Sequence, residues 1–140
     1  MTDFLTISYR SKGVLTDPVN EVASIVAQSQ PRNAALGITG ILLFDGRYFM
    51  QTIEGPPATT TDLFQSIAND DRHEDIRPFG RHELEERDFP DWHMELLGPD
   101  ETARIVPDLK MFGFSYRRLR EVQAMAAEVA KQKRARRTYH

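Results

Sequence analysis

At 140 residues, 40% of them hydrophobic, the chain is one domain with enough apolar material for a core. It has no cysteine, which excludes disulfides, thiol nucleophiles and cysteine-ligated metals, and its net charge of −3 gives no general nucleic-acid footprint. No run approaches the ~20 apolar residues of a membrane span and no charged-then-apolar leader opens the chain, so a cytoplasmic location is expected.

The first predicted strand is Phe4–Tyr9, in which Leu5, Ile7 and Tyr9 share a face opposite Thr6 and Ser8. Tyr9 therefore points inward with a phenol that needs a partner. Asp17-Pro18 reads as a helix start, with an N-cap and a first-turn proline. The stripe Val19, Val22, Ile25, Val26 and Ser29 continues that helix to an expected end near Pro31. Gly37 and Gly40 then feed a strand at Ile41–Phe44, and Asp45-Gly46 is a two-residue hairpin signal.

The next strand hides an amide. Phe49, Gln51 and Ile53 share one face, and Tyr48, Met50, Thr52 and Glu54 share the other. If Phe49 and Ile53 face the core, Gln51 goes with them, and an unpaired buried carboxamide costs roughly 1–3 kcal/mol. After Gly55-Pro56-Pro57, the cluster Thr59-Thr60-Thr61 can cap a second helix with the stripe Leu63, Phe64, Ile67 and Ala68, closed by Asn69-Asp70-Asp71. Weaker strands are predicted around Ile76–Leu84 and Trp92–Leu97. In the latter, Trp92 and Met94 share a face opposite His93 and Glu95.

After Gly98-Pro99 the character changes. A short helix is expected over Glu101–Leu109, limited by Pro107. A longer one runs from Ser115 to about Arg136, with Leu119, Val122, Ala126 and Val129 on one side. That stripe must be buried against the open sheet face or a second subunit. The cluster Lys131, Lys133, Arg134, Arg136 and Arg137 can bind nucleic acid or an acidic partner, but reads first as the solvated last turns of this helix, where positive charge suits the helix dipole. The whole order fits an α+β, ferredoxin-like sandwich: βαββαββ, a mixed sheet with two helices on one face, and a C-terminal helical extension. The expected division is 1–98 for the sandwich domain and 99–140 for an extension packing on the sheet or on a partner.

Parity brings Tyr9, Gln51, Trp92 and Met94 to the core side of one sheet, under helices that offer Ile25 and Ile67. A planar aromatic ligand could slide between those helices, with Asn33 and the Arg72-His73 pair at the ends of the slot. Each residue also has a plain structural reading. A Tyr–Gln pair can satisfy itself, Asn33 can cap a helix, Arg72 and His73 can be surface residues, and Trp92 and Met94 can fill the core.

The constellation resembles the BLUF domain, a flavin-binding blue-light sensor module, over roughly residues 3–98. The resemblance is carried by Leu5–Ser11, Arg32-Asn33, Gly37–Leu43, Phe49–Gly55, Asp70–His73 and Arg87–Met94, in order and at matching spacing. It implies FAD as cofactor, with FMN or riboflavin as alternatives, its ring lying between the two helices. By the same resemblance Tyr9 is the photoactive tyrosine and Gln51 the switching glutamine. Asn33 would bond the ring's carbonyl and imide edge, Arg72 its pyrimidine side, and His73 would pack at the ring, with Ile25 and Ile67 at the flanking apolar positions. Ser11, Asp70 and Met94 complete the cofactor set, while Arg32 either meets a phosphate or faces solvent. Trp92 and Met94 correspond to the fifth-strand pair that relays the signal.

The implied mechanism is light-driven electron and proton transfer from Tyr9 followed by rearrangement of Gln51, with no enzymatic turnover. The chain resembles the short members of the family, which signal to a separate, here unidentified, protein; a homodimer is an expectation, a membrane is not, and nucleic acid is disfavoured. Two competing readings are a flavin-dependent oxidoreductase and a light-independent binding module. No additional acid–base pair for a substrate is evident beside the slot.

Overall fold

The computed structural model describes residues 3–111 and 115–138. Five strands, β1 (Phe4–Gly13), β2 (Thr39–Phe44), β3 (Tyr48–Gly55), β4 (His73–Leu84) and β5 (Glu95–Leu97), pair in the order β4-β1-β3-β2-β5. All neighbours are antiparallel except β2 and β5, which makes the sheet mixed. Helices α1 (Pro18–Leu36) and α2 (Pro57–Ala68) cover one face, as the βαββαββ order requires. The fold class is the ferredoxin-like α+β sandwich expected from the sequence. On the other face lie α3 (Pro99–Ile105), a 3-10 turn at Leu109–Met111 and the long helix α4 (Tyr116–Thr138).

Strand alternation sorts the core into two layers. Leu5, Ile7, Leu42, Phe44, Phe49 and Ile53 pack with Val22 and Val26 of α1 and Leu63 of α2. On the reverse, Ile41, Leu43, Tyr48, Met50 and Leu97 meet Leu119, Val122, Ala126 and Ala130 of α4. The stripe of α4 is thus buried on the sheet, with Val129 packed at its margin. Burying Leu119 and Val122 contributes about 1.5–3 kcal/mol each.

Several boundaries differ from the sequence expectation. Helix α1 does not stop near Pro31 but runs through it to Leu36, because its true stop is Gly37 at φ 70. There the Ile38 N–H reaches the Asn33 carbonyl at 2.9 Å and the Gly37 N–H reaches that of Ala34 at 3.3 Å, a Schellman ending. Asn33 is therefore inside the last turn and fully buried, not a cap beyond it. Asp17 precedes α1 without a side-chain cap bond; Glu21 reaches back instead and accepts from the Asp17 N–H at 3.2 Å. Helix α2 begins at Pro57, so Thr59, Thr60 and Thr61 lie within it rather than capping it. Helix α3 occupies Pro99–Ile105 rather than Glu101–Leu109.

The basic cluster is more than a solvated helix end. Glu95, 3% exposed, accepts from Arg134 at 3.0 Å and Arg137 at 2.5 Å. Lys133 reaches the Leu96 carbonyl at 3.0 Å and Glu101 at 3.1 Å, and the Arg134 guanidinium lies 5.6 Å from the Trp92 ring centre. Lys131 and Arg136 are exposed, as the sequence suggested.

Gly40 fixes how closely β2 and β3 approach: a Cβ there would sit 2.1 Å from the Thr52 carbonyl oxygen. Gly40→Ala is expected to cost about 3 kcal/mol or more in a denaturant melt; an unchanged midpoint would show that the ladder can open at this point. The ion pair at β5 should be asymmetric. Glu95→Ala returns two half-exposed arginines to water and costs about 1–2 kcal/mol, whereas removing Arg134 and Arg137 together strands a buried carboxylate and costs about 3–5 kcal/mol. Equal losses in the two variants would contradict that account.

Candidate functional site

A cleft opens between α1 and α2 over the middle of β1 and β3. Its floor is Tyr9, Leu42, Phe49 and Gln51; α1 contributes Ile25, Ser29 and Arg32, α2 contributes Ile67, and the turn into β4 contributes Asp70, Arg72 and His73. The space between its walls, counted out to the open mouth and including solvent there, is about 560 Å³.

Tyr9 and Gln51 are cross-strand partners in the β1–β3 ladder. The buried Tyr9 hydroxyl donates to Gln51 Oε1, and Gln51 Nε2 donates to Met94 Sδ at 3.4 Å. Burial pushes the Tyr9 phenol well above its ordinary pKa, and the Asp70 carboxylate pushes it further. A primary amide carries two N–H donors, and Met94 takes one of those on Gln51. The other is left for a group in the cleft.

His73 closes the side of the site. Its Nε2 donates to the Ile67 carbonyl at 2.6 Å, and its Nδ1 shares a hydrogen bond with Ser11 Oγ at 2.7 Å. The imidazole meets Tyr9 edge-on at 5.9 Å between centres. At the mouth Asp70 grips Arg72 through Nε at 2.9 Å and Nη2 at 2.5 Å. This hydrogen bonding, chiefly to the Arg72 side chain, lowers the Asp70 carboxyl to about 2. Because the folded-state pKa is depressed, the pair contributes its full stability above the ordinary carboxylate range and loses it progressively as pH falls from there through about 2.

Eight of the residues predicted from sequence line the cleft together: Tyr9, Ile25, Arg32, Gln51, Ile67, Asp70, Arg72 and His73. Ser11, Asn33 and Met94 stand behind its wall. Ser11 orients His73, and Met94 backs Gln51. Asn33 Oδ1 accepts from Arg32 Nε at 3.2 Å and Nη2 at 3.1 Å, and its Nδ2 donates to the His93 carbonyl at 2.6 Å. Arg32 thereby gains a defined contact.

Trp92 is a correction. It does not share a face with Met94 but packs beside Phe89 in the layer under α4, while Met94 lies in the layer under α1 and α2. Parity failed because residues 88–94 are bends and irregular chain and only Glu95–Leu97 is strand. Sequence reasoning also missed Ser29, Leu42 and Phe49 as lining residues. The signal was present: Phe49 alternates with Gln51, Leu42 is its register partner across β2 and β3, and Ser29 is one turn beyond Ile25.

The cleft has aliphatic walls set one helix apart, a hydrogen-bonding floor, and an arginine at its mouth. Such a site defines an α+β domain that holds a flat heterocycle with a polar edge. Residues 4–95 match the family described as sensors of blue light using FAD, and the chain belongs to that BLUF family. Its structure is similar to the dark-state structure of the BLUF protein BlrB, with a TM-score of 0.82 and 38% identity, over 92% of this chain and 98% of that one. It is also 37% identical over 71 residues to the blue light- and temperature-regulated antirepressor BluF of Escherichia coli K12, 51% of this chain and 18% of that protein. To the photoactivated adenylate cyclase subunit beta of Euglena longa it is 33% identical over 103 residues, 73% of this chain and 12% of that protein. The chain thus spans less than a fifth of the length of these two relatives.

The residues fit the family's cofactor. The gap between Ile25 and Ile67, the spare Gln51 donor and the Arg72 guanidinium suit the ring and polar edge of FAD. Among the described residues no cluster of His, Asp or Glu could hold a metal ion, and no helix is long and apolar enough to cross a membrane.

Asp70→Asn is expected to leave the fold intact and to weaken FAD retention about five-fold, the size of ~1 kcal/mol for a partly exposed charge pair. Equilibrium dialysis of the two proteins gives the ratio; equal retention would show that Arg72 needs no support from Asp70.

Proposed function

We propose that the chain is a non-enzymatic blue-light photoreceptor in which Tyr9 and Gln51 form the switch, residues 1–98 hold FAD, and residues 99–140 carry the signal to a separate protein. The observation that supports this most directly is the continuous buried bond from the Tyr9 hydroxyl to Gln51 and on to Met94, at the floor of the cleft. Bound FAD supplies the absorption of blue light and an excited ring that takes up an electron. The electron comes from Tyr9, the phenol on the cleft floor.

Tyr9 keeps its proton firmly in the resting protein, since burial and Asp70 both disfavour the phenolate. Loss of an electron from the Tyr9 phenol reverses that preference, and the Oη proton leaves along its hydrogen bond to Gln51 Oε1. When the electron and proton return, no net chemistry has occurred. What remains is a choice of amide orientation. With Oε1 toward Tyr9, Gln51 offers N–H to Met94; turned over or tautomerised, it offers a different pattern to the ring edge and withdraws from Met94. Two such hydrogen-bond patterns of similar energy make a bistable element that light can bias.

A flavin-dependent oxidoreductase would need a second acid–base group over the ring. His73 and Asp70 are instead already engaged, His73 with Ser11 and the Ile67 carbonyl, and Asp70 with Arg72. The partner is proposed to be a protein distinct from this domain. The relatives named above are a regulated antirepressor and a photoactivated cyclase, each much longer than the matched region.

Tyr9→Phe removes only the hydroxyl and should retain FAD. Its absorption band is expected to show no reversible red shift under blue light, whereas the parent chain shows a small shift that decays in the dark. A normal photocycle in Tyr9→Phe would remove Tyr9 from the switch, and a flavin-loaded parent without any shift would overturn the photoreceptor reading.

A further inference from the structure

The face of α4 that meets the sheet is apolar at Leu119, Val122, Ala126 and Ala130, with one interruption. Gln123 is 6% exposed, and its Nε2 donates to Thr52 Oγ1 at 3.1 Å and to Ser8 Oγ at 3.3 Å. Those two hydroxyls are themselves 2.8 Å apart. Gln123 Oε1 accepts from Arg120 Nη1 at 3.0 Å, and Arg120 in turn holds both oxygens of Asp88, at 2.6 and 3.1 Å. The amide is thus locked in one orientation, with oxygen toward the arginine and nitrogen toward the strands.

Ser8 and Thr52 are not arbitrary anchors. In the β1–β3 ladder Ser8 pairs with Thr52, and the adjacent pair is Tyr9 with Gln51. Successive strand residues point to opposite faces, so the Ser8–Thr52 pair is the reverse side of the Tyr9–Gln51 pair. Gln51 and Thr52 share a peptide unit. A turn of the Gln51 amide that shifts this backbone moves the Thr52 hydroxyl beneath α4. The bonds that Gln123 makes, at 3.1 and 3.3 Å, are at the long end of the hydrogen-bond range, so a displacement of about half an ångström breaks them.

We propose that Gln123 is the positioning residue that couples the Tyr9–Gln51 pair to α4, through Ser8 and Thr52 on the back of the sheet. The proposal rests on the photoreceptor reading above. In the resting state Gln123 holds α4 on the sheet. After the switch its two bonds lengthen together and the helix loosens between Leu119 and Ala126. Coupling of this kind is reciprocal, so docking of α4 also biases the orientation of Gln51.

The test compares the FAD-loaded parent chain with Gln123→Met, which keeps the length of the side chain and removes its donors and acceptor. Two readouts are taken in the dark and under blue light: the flavin absorption band, and amide hydrogen exchange across residues 116–138. The expected parent shows the reversible red shift together with faster exchange in α4. Gln123→Met is expected to keep the red shift, lose the light dependence of α4 exchange, and change the dark-recovery rate by about two- to ten-fold, the range of one neutral hydrogen bond. Thr52→Val should change that rate too, and the double variant should do no more than either alone.

A light-dependent exchange in Gln123→Met equal to that of the parent overturns the proposal. So does additivity of the two substitutions, which marks Gln123 as ordinary packing. A parent with the red shift but no exchange change in α4 overturns the coupling and leaves the photoreceptor reading standing. A parent without any red shift overturns both.

Discussion

The constraint on which the molecule depends is the two-residue repeat of its central ladder. In β1 and β3 the residues that face the cleft and those that face α4 strictly alternate over the stretch from Leu5↔Gly55 to Ser11↔Phe49. The cleft side receives Ile7, Ile53, Tyr9 and Gln51; the other side receives Thr6, Glu54, Ser8, Thr52 and Arg10. A slip of one residue would exchange the two sets, placing a carboxylate and a guanidinium against the aliphatic residues of α1 and α2. Fold and site are therefore one specification.

The reverse face makes that specification expensive to violate. Glu54 is wholly buried, and its burial raises the carboxyl pKa. The backbone N–H groups of Phe89 and Asp88, at 2.7 and 2.9 Å, and the Thr39 hydroxyl, at 2.9 Å, offset that cost by bonding the carboxylate. In doing so they tie down the bend that carries Trp92. Arg10 is equally committed. It donates to Asp75 at 2.9 Å, reaches the Lys110 carbonyl at 2.9 Å, and lies over the Tyr48 ring at 4.4 Å. Polar groups placed this way contribute register and orientation more than net stability.

Most of the architecture was legible because strands and helices differ in period. Tyr9 and Gln51 were placed on the same face from alternation alone, and the Ile25 and Ile67 walls from helical spacing. The failures have different causes. Trp92 was assigned by extending strand parity into a segment that the Glu54 carboxylate and Asn33 hold in bends, and those long-range bonds leave no periodic trace. The end of α1 was read from a proline, although the stronger signal was Gly37, whose left-handed backbone closes the helix one and a half turns later. The role of Gln123 had no sequence signal either. Its partners Ser8 and Thr52 are separated from it by 115 and 71 residues.

Those separations bear on how the chain reaches its fold during synthesis. The sheet is complete by Leu97, yet the helix that covers its back starts only at Tyr116. Emerging from the ribosome, the sheet must stand for a time with one side bare. An unshielded aliphatic surface would be a site for misassociation at that stage. The centre of this surface carries Thr6, Ser8, Arg10, Thr52 and Glu54, groups that water can solvate. The polar strip, two of whose hydroxyls Gln123 of α4 later engages, thus interrupts the apolar surface of Ile41, Leu43 and Met50 with groups that water can solvate before that helix docks.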